Sequence, residues 1–171
     1  MSTQVDITIQ NDVWHAHAWH GEGDSLLGDD ISVILTHAVH TTLGFFDMGA
    51  CEISVVLADD CFIQNLNKRY RNQNKPTNVL SFPAQDAYMV GDMVENLGDI
   101  IISFDTLMRE ADAQQKTPLS HCIHLIVHGT LHVLGYDHMT LEDAQGMENL
   151  EREILAKLHI DDPYAGTDGI G

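Results

Sequence analysis

The chain has 171 residues, 44% of them hydrophobic and 20% charged, with a formal net charge of −18 at pH 7. That length suits one domain over 1–171 with a sizeable core, and no stretch approaches the ~18 consecutive apolar residues of a membrane span. So negative a balance excludes a sequence-blind coat for nucleic acid, which relies on an overall basic surface.

In chain order, Val5–Gln10 alternates like a strand. The tract WHAHAWHGEGD follows as a loop or edge; its His15, His17 and His20 read as irregular surface rather than a metal site. No Lys or Arg precedes Lys68, so the early positive charge of a secretory or transit signal is missing and a cytoplasmic protein is expected. Cys51, Cys61 and Cys122 are odd in number without C-x-x-C spacing, which fits unpaired, buried thiols in a reducing compartment. Asp29 or Asp30 is placed to cap a helix running to about Thr42, Glu52–Leu57 is a β-branched strand, and Asp59 or Asp60 caps a helix ending near Arg71.

The eight residues KRYRNQNK hold Lys68, Arg69, Arg71 and Lys75, half of the chain's 8 Lys and Arg, with no acid among them. Charge alone leaves two readings open: a focused anion site, or a solvated helix end favoured by the dipole. Pro76 and Pro83 then bracket the short strand TNVLSF, and a loop spans 84–96. Leu97–Ser103 reads as a strand and Asp105–Gln115 as an amphipathic helix, with Asp99 in a structural role. Pro118 suits the first turn of the next helix, and Thr140 with Asp143 starts a long acidic helix through Leu158. Four strands and about five helices, the helices grouped in runs, predict an α+β domain with a mixed sheet and a metal site on a central helix and the turn after it.

That site is HGTLHVLGYDH, residues 128–138. His128 and His132, four apart, share a helix face. Gly135 accepts the left-handed backbone that ends a helix, so the chain folds back and brings His138 to the same point. Three imidazoles with a fourth position open is the arrangement of a catalytic zinc site; imidazole suits several divalent metals, and zinc is the preference. His121 and His124 lie on the same stripe, but His121 and His132 would stand roughly 16 Å apart along the axis. They are expected to line the approach or pack. Asp137 either orients a metal-bound histidine or caps the turn. Position 129 is glycine where H-E-x-x-H proteases carry their general base, and a glycine there implies that substrate, water or a strand approaches the backbone closely.

Together, NKRYRNQNKPTNVLSFP, then LGDI, then HGTLHVLGYDH resemble the YbeY family of bacterial endoribonucleases over residues 50–165. The resemblance implies a zinc-dependent, single-strand-specific RNA hydrolase. It would act in ribosomal RNA maturation, above all at the 16S 3′ end, and in ribosome quality control. It also implies metal ligands at His128, His132 and His138, an essential arginine at Arg71, and Lys68 and Lys75 as further substrate contacts. Implied partners are single-stranded ribosomal RNA in the small subunit and a ribosome-associated GTPase, with no DNA and no membrane. Chemically, a three-histidine zinc site lowers the pKa of its water to about 7, so a nucleophile for the phosphodiester is available without a glutamate. Arg71 offers a bidentate guanidinium for the phosphate. Two alternatives stay open: a zinc peptidase, although no Glu lies between His121 and His138, and a non-catalytic ribosome-assembly factor with structural zinc.

Overall fold

Side-chain parity along the central strands decides the layering. The computed structural model describes residues 3–19, 30–46, 48–84, 95–136 and 140–165. In β2 (Cys51–Ala58), Cys51, Ile53, Val55 and Leu57 turn one way into the main core, and Val56 and Ala58 turn the other way. β4 (Glu95–Ser103) repeats this, with Ile100 and Ile102 on the first face and Ile101 on the second. With β1 (Gln4–Ile9) and β3 (Val79–Pro83) they form a sheet of order β1-β2-β4-β3, parallel except for the antiparallel β3–β4 pair. The fold is therefore α+β on a mixed four-stranded sheet. Among the described residues there are six helices, one more than expected.

Four of them start with a side-chain cap, and a fifth follows its strand without one. Asp30 accepts from Ser32 N–H to open α2 (Ile31–Leu43), and Asp59 accepts from Phe62 N–H to open α3 (Asp60–Arg71). α4 (Phe104–Ala113) begins directly after β4. Thr117 accepts from Ser120 N–H with Pro118 in the first turn of α5 (Pro118–Val133), and Thr140 accepts from Asp143 N–H to open α6 (Leu141–Lys157). The sixth corrects the reading of the early histidine tract as a loop or edge. A four-residue helix, α1 (Val13–Ala16), overlaps its start. Trp14 and Trp19 are buried, stack at 5.5 Å, and donate their indole N–H groups to Ala58 O and Trp14 O. His15 is exposed, His17 half-buried, and His20 lies outside the described residues. Cys61 is also exposed rather than buried, while Cys51 and Cys122 are buried as expected.

α5 is apolar nearly all round and is the hub of the structure, touching α2, α4, α6, β3 and β4. Each fully buried Leu or Ile on it contributes roughly 1.5–3 kcal/mol. The close approach implied by Gly129 is to a strand. A Cβ there would stand 2.8 Å from Ile100 Cγ2 and 3.2 Å from Ser81 Oγ, so the absent side chain lets α5 lie directly on β3 and β4. α3 packs on the opposite face through Ile63, Phe62 and Leu66. A bulge at Leu97 sets the register of β4, and Gly98 (φ +136) passes so close to Phe82 O that a Cβ would lie 2.2 Å from it.

Candidate active site

α3 and α5 lie on opposite faces of the sheet, and their C-terminal ends meet at the outer edge of β3. α3 ends because Asn72 takes the left-handed conformation (φ 56), its N–H bonding back to Asn67 O. Asn67 holds the loop that follows. It is buried near the C-terminal end of α3, its carbonyl accepts from Gln73 N–H at 3.2 Å, and its side-chain amide donates to Lys75 O at 2.9 Å. Arg71 reaches the strand edge, where Nη2 donates to Ser81 O at 2.9 Å and the guanidinium lies 5.4 Å from the Phe82 ring.

From the other face, the last turns of α5 present the histidines. The helix ends as Gly135 (φ +103) turns the chain and Tyr136 N–H bonds Leu131 O. His128 Nε2 and His132 Nε2 lie 3.0 Å apart. Two nitrogens bound to one tetrahedral zinc at 2.0–2.1 Å would be about 3.4 Å apart, so this pair fits one edge of a coordination sphere. His138 and Asp137 lie outside the described residues.

Glu151 of α6 was not legible as a site residue. It is fully buried and accepts from His128 Nδ1 at 2.6 Å, from His124 Nε2 at 2.9 Å, and from the Tyr164 hydroxyl. Burial alone would raise its carboxyl, but the hydrogen bonds from His124 and His128 outweigh that and hold it well below the usual carboxylate range. Burial lowers His124 and pushes the Tyr164 phenol up. The signal for Glu151 was its place on α6: it shares the buried stripe with Met147, Ile154 and Leu155, where a solvated acid does not belong. His121 is buried and donates to Glu110 Oε1 at 2.9 Å, and Glu110 in turn accepts from Asn78 Nδ2 at 2.9 Å. His121 therefore packs, as expected. Donor atoms of His124, His128 and Glu151 all lie within 4.8 Å of one another, so this cluster can also hold a metal ion.

A cavity of ≈ 570 Å³ joins the two ends. Arg71 and Lys75 line it on one side, His128 and His132 on the other, with Ser81 and Asn78 between them. Among the described residues lining it there is no carboxylate, although the chain carries 26 Asp and Glu against 8 Lys and Arg. Lys68 stands exposed on α3, outside that lining.

The sequence model of a family described as Endoribonuclease YbeY matches residues 22–159. The chain belongs to this family. An Endoribonuclease YbeY of Azorhizobium caulinodans is 41% identical over 162 residues, covering 95% of this chain and 96% of the relative. One of Rhodopseudomonas palustris is 42% identical over 169 residues, with 97% and 83% covered, and one of Paramagnetospirillum magneticum 50% over 127 residues, with 71% and 77% covered. The match spans Arg71, Lys75, His128, His132 and Glu151. Among the described residues no helix is long and apolar enough to cross a membrane.

Proposed function

We propose that the chain is a metal-dependent endoribonuclease that cuts single-stranded RNA, with zinc held by His128, His132 and His138. The observation that carries this reading is the cavity itself. In a strongly acidic chain, its described lining combines two cations with an imidazole pair and no acid. That favours an anionic ligand beside a metal. The relatives named as endoribonucleases support RNA as the anion.

A zinc ion held there would supply Lewis acidity and lower the pKa of a bound water towards neutral pH. The chain's own residues supply the rest. Arg71 has five N–H donors, of which Ser81 O takes one, leaving a planar edge for two phosphate oxygens. Lys75 adds a second positive charge on the same wall, and Lys68 a more distant one. Glu151 accepts a hydrogen bond from His128 Nδ1, which leaves Nε2 facing His132; this is the carboxylate–histidine pairing that orients a metal ligand. That engagement also favours the His128–His132 pair as ligands over the His124, His128, Glu151 cluster, in which the carboxylate is already occupied by three donors. Asp137 is the corresponding candidate behind a second histidine. A peptidase is disfavoured, since Glu151 sits behind His128, is fully buried and lies outside the described lining.

The biological setting we propose is maturation of ribosomal RNA at the 16S 3′ end and ribosome quality control in the cytoplasm, with the small subunit and a ribosome-associated GTPase as partners. The test is metal analysis of the purified protein paired with cleavage of single-stranded and duplex RNA, with and without chelator. Arg71→Ala should keep its metal and melting temperature and lose most cleavage, and Arg71→Lys should recover only part, because a point charge cannot clamp bidentately. Chelator-resistant cleavage, or full activity in Arg71→Lys, overturns the reading.

A further inference from the structure

Arg71 is a wall of two cavities, and the second is not explained by phosphate chemistry. On the α3 face of the sheet, a space of ≈ 700 Å³ has Val56, Ile101 and Leu66 among its apolar lining, with Tyr70, Phe82, Arg71 and Asp99 also on its wall, Asp99 beside Phe82 on the neighbouring strand. Tyr70 is 59% exposed although aromatic, and meets Phe82 edge to face at 5.4 Å. Asp99 projects from β4 on the same face as Ile101, exposed, so its place here is a cavity wall rather than a purely structural turn.

We propose that this cavity is a nucleobase subsite, taking the base next to the phosphate that Arg71 holds. The inference rests on the reading of the chain as a single-strand RNA hydrolase. Three observations carry it. Arg71 bounds both cavities, so a strand whose phosphate sits on the guanidinium reaches the histidines on one side of the β3 edge and this cavity on the other. The exposed Tyr70 ring over an apolar floor that includes half-buried Phe82 offers a flat contact on which an unpaired base stacks, and only a single-stranded nucleotide can splay a base into it. The one acid on the wall is a pure acceptor. Asp99 can accept from the exocyclic amine of cytosine, adenine or guanine, whereas the N3–H that uracil offers is flanked by two carbonyls that repel the carboxylate. The subsite therefore selects an amine-bearing base over uracil.

The test uses short single-stranded RNAs in which each nucleotide in turn is abasic, with binding read by fluorescence anisotropy and cleavage measured in parallel. At one position, loss of the base should weaken binding to the native protein about tenfold. Tyr70→Ala should bind the intact strand about as weakly and be indifferent to the abasic change; the position is exposed, and an unchanged melting temperature separates this pattern from a folding defect. Cytidine-to-uridine exchange at the same position should cost the native protein about fivefold and Asp99→Asn nothing. An abasic penalty equally large in Tyr70→Ala, or a uridine penalty that survives Asp99→Asn, overturns the subsite and leaves the cavity to another occupant, such as an apolar side chain of a protein partner. A native protein that binds with this base dependence but never cuts RNA overturns the hydrolase reading alone.

Discussion

Replacing Gly129 by alanine sets two opposing effects against each other at the seam between α5 and the sheet. Alanine is favoured over glycine inside a helix by up to about 1 kcal/mol. Against this, the new methyl would lie 2.8 Å from Ile100 Cγ2 and 3.2 Å from Ser81 Oγ. Ordinary carbon–carbon contacts are about 3.5–4.0 Å, so a gap of roughly 0.7 Å must open. Ile100 cannot easily supply it, being fully buried in a central strand and β-branched, with a stiff χ1. Overpacking of this kind costs about 1–3 kcal/mol, so the balance falls on the destabilising side by about 1 kcal/mol. For a chain of this size that lowers the melting temperature by about 2–4 °C. Thermal unfolding of four proteins decides it: native, Gly129→Ala, Ile100→Ala and the double variant. With Ile100 truncated the contact is gone, and Gly129→Ala should turn neutral or stabilising. An equal effect of Gly129→Ala in both backgrounds would refute the reasoning, since the cost would not then come from Ile100.

Two further outcomes follow from the buried and capping carboxylates. Glu151→Gln removes the charge that three donors share; it should lower stability by about 2–4 kcal/mol and weaken metal binding about 10–100-fold, read by urea unfolding and by competition with a chelating dye, and an unchanged metal affinity would refute the orienting role. Acid should destabilise the protein in two stages. His124 is lowered by burial, so its contribution is complete above about pH 6.5 and is lost as pH falls towards its folded value. Asp59 is lowered by the Phe62 N–H, Asp60 by Thr106, Ser103 and Arg109 against its burial, and Glu110 by His121, so their stabilisation is present above about pH 4 and lost below it as each is protonated. The urea midpoint should be level from pH 8 to about 7, decline below that and fall steeply under about pH 4, with a shallower steep phase in Asp60→Asn; a midpoint unchanged at about pH 3 contradicts this.

Local chemistry made much of this fold readable in advance. Asp30, Asp59 and Thr140 bond the first turns they were expected to cap, and Thr117 caps the turn that Pro118 was expected to open, because a cap depends only on residues within one turn. Arg71 with Lys75, and His128 with His132, were each found from spacing along a single segment. Their meeting across the edge of β3 was not readable, because it depends on Gly129 admitting the strand and on Asn67 shaping the loop. Glu151 was hidden by composition: on an acidic helix its carboxylate looks like any other until the buried stripe through Met147 and Ile154 is drawn. The two tryptophans near the N-terminus were obscured by the histidines between them, which made a buried aromatic cluster read as surface.

Because α5 is gripped by three helices and two strands, its histidines cannot loosen without much of the molecule opening as well. Arg71 is anchored differently, at an exposed helix end through one bond to a strand edge and one ring contact. The two halves of the site thus sit on different rungs of local stability. Its imidazole half opens only with the whole fold, and its guanidinium half at far smaller cost. On the proposed function, an RNA strand arriving at this edge would meet a rigid anvil and an adjustable clamp, so accommodation of different sequences would fall to the clamp while the reacting geometry stays put.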